Sequence, residues 1–250
     1  MIRTEDILLK EIESLCSMTE ILSAAKYLNM NYTLFLSDVQ LWHQVRQVFK
    51  EKCQYIFSKY EDLIIANKFI NVLLMKYYPC ERIVKYALVN KSRSREDTIL
   101  FEMPVLDSRI DICRINGNSY AYEIKSELDS FKRLEKQIHT YFRVFEYIYI
   151  VCPKAFYDDV IKRVPSFCGL RLYTHNPDNG KISFHSKRKA IISPCIDSWS
   201  QLQCLSQEQL FAILKSRKIK KIPSSKEDRV QLIYDIYKPK TINTINLFFL

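Results

Sequence analysis

The chain has 250 residues, 48% hydrophobic and 26% charged, which is the composition of a globular protein rather than a disordered or fibrous one. Its three glycines, Gly117, Gly169 and Gly180, stand alone. They can build neither a G-x-x-x-x-G-K phosphate loop nor a G-x-G-x-x-G dinucleotide turn, so no nucleotide cofactor of those classes is expected. The net charge of +10 is concentrated: residues 1–78 carry nine Lys/Arg and nine Asp/Glu, whereas residues 181–240 carry 13 against 5. A local basic field of that kind suits a polyanion, most simply nucleic acid.

The first 90 residues read as successive helices. In Met18–Trp42, Ala24, Ala25 and Leu28 set one helix, Asn29 takes a turn, and Thr33 and Phe35 open a second, the pattern of a helix-turn-helix. Asp38–Tyr60 and Glu61–Tyr77 carry apolar residues near a 3.6 period. Pro79 then punctuates the chain, and Cys80–Asn90 is a further helix. From Thr98 the period changes to that of strands, over Thr98–Leu106, Arg109–Ile115 and Ser119–Ser126. Asn116-Gly117 between the last two predicts a two-residue type I′ turn. Leu128–Phe145 reads as helix, Tyr147–Cys152 as a buried strand and Lys154–Arg163 as a short helix. Strands over Leu170–Thr174 and Lys181–Phe184 follow, then a basic loop and helices over Ser206–Arg217 and Ser225–Tyr237. The fold class expected is α/β or α+β with a mixed sheet. It divides into a helical region at 1–77, a catalytic core at 78–195 and a small basic helical module at 196–250.

The eight cysteines form no C-x-x-C pair and the four histidines are dispersed, so a zinc site is not expected. Met1–Asp6 carries no secretory leader, and the longest apolar stretch, Phe69–Met75, is far too short to span a bilayer. The expectation is a reduced, intracellular protein that does not engage a membrane.

Chemistry concentrates on the hairpin. Asp111 lies on its first strand and Glu123-Ile124-Lys125 on its second. Strand alternation puts Glu123 and Lys125 on one face, and pairing through the turn brings Asp111 near Glu123. Oxygen ligands on adjacent strands suit Mg²⁺, with substrate phosphate and water completing its shell. Lys125 is placed to orient or help deprotonate an attacking water.

The segment DSRIDICRINGNSYAYEIKSELDSFKRLEKQIHTY resembles the active-site core of the PD-(D/E)XK nuclease superfamily, whose restriction-endonuclease-like core runs αβββαβ. Gln137 and Tyr141, four apart on one helical face, match the Q-x-x-x-Y motif of its RecB-like branch. EIKSELDSFKRLEKQI further resembles a family of small bacterial and mobile-element proteins of that superfamily. The resemblance covers roughly residues 79–165. It implies Asp111, Glu123 and the carbonyl of Ile124 as ligands of Mg²⁺ or Mn²⁺, Lys125 as the catalytic lysine, and Gln137 and Tyr141 as braces of the site or contacts to the DNA strand. It also implies a further carboxylate, for which Glu81 and Glu102 compete. Ile110 stands where the superfamily's name has proline.

The segment LSQEQLFAILKSRKIKKIPSSKEDRVQLIYDIY resembles a SAP-type helix–loop–helix module with a core of Leu210, Leu214, Val230 and Ile233. Lys215, Arg217, Lys218, Lys220 and Lys221 would face phosphates, Lys218 standing where the module usually has glycine. The function expected is metal-dependent hydrolysis of DNA phosphodiesters, in a bacterial, phage or mobile-element setting. A homodimer would suit double-strand cutting. The alternatives are a catalytically inactive nucleic-acid-binding protein on the same fold, and a pure interaction protein whose charged strand face is structural.

Overall fold

The computed structural model describes residues 3–33, 35–49, 51–92, 94, 96–127 and 129–237. The chain forms two compact units, Met1–Ala87 with Thr174–Ser183, and Leu88–Tyr173 with Phe184–Leu250. Among the described residues, no helix is long and apolar enough to cross a membrane.

The first unit is helical: α1 (Thr4–Leu15), α2 (Met18–Asn31), α3 (Asp38–Phe49), a 3-10 turn (Glu51–Cys53), α4 (Gln54–Tyr60) and α5 (Ala66–Tyr77). Leu8, Ile12, Ala25, Leu28, Val45, Phe57, Phe69 and Leu73 fill its core, where Trp42 stacks on Phe69 at 6.0 Å. Three expectations are corrected here. Asn29 lies inside α2, and the next helix opens at Asp38, so Thr33 and Phe35 belong to a connection of six residues. That connection is longer than the three or four residues of a helix-turn-helix turn. Asp38–Tyr60 is broken because Arg46 Nη1 donates to the Gln54 carbonyl at 3.3 Å and Gln54 Nε2 returns a bond to the Arg46 carbonyl at 2.9 Å, folding α4 back. The helix expected from Glu61 starts at Ala66, whose N–H donates to Asp38 Oδ1 at 2.7 Å.

The unit boundary falls within α6 (Glu81–Ser92). Beyond it come β1 (Thr98–Val105), β2 (Ser108–Asn116), β3 (Asn118–Ile124), α7 (Leu134–Tyr141), β4 (Tyr147–Pro153), α8 (Tyr157–Arg163), β5 (Gly169–His175) and β6 (Ile182–Arg188). They build one mixed six-stranded sheet in sequence order. The first three strands are antiparallel neighbours, and β4 and β5 add in parallel. The fold is α+β. One sheet face, with Cys113, Ile115, Ala121, Ile148, Ile150 and Leu170, packs on Leu134, Ile138 and Tyr141 of α7 and Val160 of α8. Cys152 is buried there as its apolar run predicts, and burial pushes its thiol up to about 12. Gly169 faces Tyr149 across β4 and β5, and a Cβ there would overlap the tyrosine ring and crowd the Ala190 backbone N–H, so glycine is needed.

The helix expected over Leu128–Phe145 is α7 alone, with Leu128 outside the described residues. Asp129 Oδ2 accepts from both the N–H and the hydroxyl of Ser126 at 2.7 Å, holding a turn where helix was expected. Strand β6 continues to Arg188, so the start of the expected basic loop is sheet. The C-terminal helices are α9 (Ser198–Gln203), α10 (Gln207–Ser216) and α11 (Lys226–Tyr237). Their core holds all four expected residues, Leu210, Leu214, Val230 and Ile233, with Leu202, Leu205 and Ile213. Short α9 escaped the sequence reading although Asp197 caps it, accepting from Trp199 N and Ser200 N.

Candidate active site on the sheet

The hairpin turn determines which side chains meet. A two-residue turn would have set Asp111 opposite Tyr122. Instead Asn116 faces Asn118 with Gly117 alone at the apex, at φ +67°. Asn116 keeps a negative φ, so the turn is not the type I′ expected. Ile112 faces Tyr122 at the end of this ladder, and the next residue outward is Asp111 on β2 and Glu123 on β3. On the other side Phe101 faces Ile112 and Met103 faces Ile110, which sets Glu102 opposite Asp111. Glu102, Asp111 and Glu123 therefore form one row across three adjacent strands. Glu102 holds φ +52° inside a strand, a conformation costly for a residue with a Cβ. One carboxylate oxygen of Glu102 lies within 4.8 Å of one of Asp111.

Glu123 is 2% exposed and Lys125 8%. Lys125 Nζ donates to Glu123 Oε1 at 2.7 Å and to Gln137 Oε1 at 3.2 Å. The Tyr141 hydroxyl, fully buried, lies 2.9 Å from Glu123 Oε2 and 2.6 Å from the Arg109 carbonyl oxygen, with one proton to share between these acceptors. Burial, reinforced by Glu123 and by Asp111, pushes that hydroxyl far above the ordinary tyrosine range, so it stays protonated as a donor. Asp111 Oδ2 accepts from the Ile124 N–H at 2.6 Å, so Ile124 enters the site through its amide.

Five sequence-predicted residues thus come together: Asp111, Glu123, Lys125, Gln137 and Tyr141. Of the two carboxylates that compete as a further ligand, Glu102 stands in the row and Glu81 opens α6, where it pairs with Lys85 at 2.5 Å. A cleft of about 580 Å³ opens beside Gln137, lined by Arg109, Arg133 and Lys136 together with Asp107, which pairs with Lys136 at 2.9 Å. Arg109 and Arg133 were not foreseen from the sequence, because their meeting depends on how α7 crosses β2.

The C-terminal basic residues Lys215, Arg217, Lys218, Lys220 and Lys221 are all exposed. Lys218 N–H donates to the Lys215 carbonyl and Ile219 N–H to that of Leu214, closing α10 as a Schellman motif. Lys218 takes glycine's place in it at φ +57°. The turn geometry is the glycine geometry, held by a lysine. Arg217 Nε donates to the Tyr237 hydroxyl at 2.7 Å.

Residues 75–250 match the family described as Bacteriophage P4 protein cII. Protein cII of Enterobacteria phage P4 is 33% identical over 140 residues, which cover 54% of this chain and 52% of that protein. The chain thus spans about half the length of that curated relative. A solved structure of a protein of unknown function from Silicibacter pomeroyi is similar at 15% identity with a TM-score of 0.35, over 64% of this chain and 91% of that one. With 176 of its 250 residues under the family description, the chain belongs to the bacteriophage P4 protein cII family.

Proposed function

We propose that this chain is a Mg²⁺-dependent nuclease that hydrolyses DNA phosphodiester bonds, on a core of the PD-(D/E)XK kind. The observation that carries the reading is the Lys125 ammonium, bonded at once to Glu123 and Gln137 just past the end of β3, where the Ile124 N–H donates to Asp111 Oδ2. The order helix, three antiparallel strands, helix, parallel strand is the order the sequence resemblance implies.

The donor set fits a hard cation. One carboxylate oxygen of Glu102 and one of Asp111 lie within 4.8 Å, near the roughly 4 Å that separates opposite ligands around an ion with 2.0–2.1 Å bonds. Asp111 and Glu123, with Glu102 or Glu81, would hold Mg²⁺, or Mn²⁺ in its place, with the Ile124 carbonyl as the main-chain candidate. When bound, the ion supplies Lewis acidity at the phosphate and acidifies the attacking water. The protein's own groups do the rest. Lys125 positions the water and takes up part of the negative charge that develops on the phosphate. Gln137 fixes the Lys125 ammonium and Tyr141 fixes the Glu123 carboxylate, so neither must reorganise during reaction. Arg109, Arg133 and Lys136 offer the cleft to the backbone of the substrate, and the exposed cations of the C-terminal module add sequence-independent phosphate contacts.

The test is cleavage of end-labelled DNA, duplex and single-stranded, by the full chain with Mg²⁺ or with EDTA. Metal-dependent cutting that disappears in Asp111→Asn supports the reading. DNA binding without cutting under every metal condition would leave an inactive nucleic-acid-binding protein in its place.

A further inference from the structure

On the opposite face of the sheet, a second site has the chemistry of an anion receptor. Ile124 faces Val151 and Val151 faces Arg171, so Arg171 lies in the row next to Glu123 and projects to the other side. There Tyr122 and Tyr149 stack at 5.3 Å, and the Arg171 guanidinium sits over both rings at 5.8 and 5.4 Å. Arg171 and Lys91 line one cavity of about 230 Å³, with Ser186, Leu88 and the ring of Phe184. Lys91 Nζ is held 5.9 Å from the centre of that ring.

Among the described residues, neither cation makes an ion pair or a side-chain hydrogen bond, and no carboxylate lines the cavity. Other arginines of the same unit are paired, Arg114 with Asp97 and Arg143 with Asp197. Aromatic faces fix the two cations without neutralising them, because a ring quadrupole attracts a cation but carries no net charge. Two fixed positive groups converging on one cavity repel each other until an anion joins them. Guanidinium presents a donor fork that matches a phosphate, and an ammonium adds a point charge. The cavity is smaller than the roughly 300–1,000 Å³ clefts that enclose drug-sized ligands, so it suits a phosphate group rather than a whole nucleotide.

We propose that Arg171 and Lys91, with Ser186, form a phosphate-binding site on the face of the sheet opposite the carboxylates. It is independent of the nuclease reading. The phosphate comes either from a free ester or from a nucleic-acid backbone, and the experiment separates the two. Calorimetry on the full chain in EDTA uses inorganic phosphate and a nucleoside 5′-monophosphate, and fluorescence anisotropy uses a labelled oligonucleotide. The expected result is saturable binding in at least one arm, weakened about tenfold or more by Arg171→Gln and by Lys91→Gln, as loss of a charge-assisted hydrogen bond requires. A signal from the small phosphates assigns a free ester, and one from the oligonucleotide alone assigns the backbone. Lys91 is exposed, so Lys91→Gln tests the site even if Arg171→Gln disturbs the tyrosine stack. No saturation by small phosphates up to about 10 mM, with oligonucleotide affinity equal in wild type and both variants, overturns the proposal. So does saturable binding that both variants leave intact.

Discussion

Lys125→Met removes an ammonium and keeps most of its stem, and its first effect is on stability. The side chains of the ion pair are 10% and 2% exposed, and the 2.7 Å contact places the pair in a medium where charge is poorly screened. Deleting one partner of a buried pair costs roughly 3–5 kcal/mol, since the other charge stays buried without compensation. The Tyr141 hydroxyl still donates to Glu123 Oε2, which favours the lower end of that range. At about 2–4 °C per kcal/mol for a chain of this size, the melting temperature in EDTA should fall by about 10 °C. Removing the carboxylate as well relieves the uncompensated charge, so Glu123→Gln/Lys125→Met should melt above Lys125→Met alone. A divalent cation bound at the row supplies a replacement positive charge, so Mn²⁺ should raise the melting temperature of Lys125→Met more than that of the wild type. Differential scanning calorimetry with and without Mn²⁺ reads all three. Equal melting of Lys125→Met and wild type in EDTA, with no gain in the double variant, would refute the placement of this pair in the protein interior.

Three further outcomes follow from single contacts. Tyr141→Phe removes the donor shared by Glu123 and the Arg109 carbonyl; urea denaturation should show a loss of about 1–3 kcal/mol, and cleavage should slow about 10–100-fold while Mn²⁺ affinity changes little. Lys218→Gly relaxes a left-handed residue, so urea denaturation should show a gain of about 1 kcal/mol, while the log–log salt slope of DNA binding shrinks by roughly 0.9 if that lysine meets a phosphate. Asp97 titrates below its ordinary range: burial alone would raise it, but the Ser94 N–H, Asn116 and Arg114 outweigh burial. A depressed carboxylate stabilises the fold fully above its unfolded value of about 3.9, and this contribution is lost as pH falls through the lower folded value. Stability measured below about pH 4 should therefore drop less steeply in Asp97→Asn than in wild type.

The side-chain cluster was legible in the sequence because its parts are local. A hairpin carries Asp111, Glu123 and Lys125, and a helical i, i+4 pair carries Gln137 and Tyr141. Their partnership was legible from spacing, whereas the register was not, since it depends on one residue in the turn. Asn116 with negative φ adds that residue, and a shift by one moves every side chain to the other face. That Glu102 stands in the row was not legible, because nothing in the chain announces a left-handed residue inside a strand. The helix boundaries that failed share one cause. At Arg46, Asp38 and Asp129, side chains took over backbone hydrogen bonds that periodicity assigns to continuous helices. The C-terminal core was legible because its apolar spacing is strong, and the lysine in the glycine position there keeps the expected turn.

On the proposed mechanism, Asp111 and Glu123, with Glu102 or Glu81, hold a cation on which Lys125 depends for hydrolysis. Paired Mn²⁺ calorimetry and single-turnover cleavage of labelled DNA, run on Asp111→Asn and Lys125→Met beside the wild type, test it most directly. Asp111→Asn should lose both cation affinity and cutting. Lys125→Met should keep or tighten cation binding, because a repelling charge leaves the site, and should still not cut. If Lys125→Met cuts at the wild-type rate, or Asp111→Asn binds Mn²⁺ as the wild type does, the row of carboxylates is structural and the account fails.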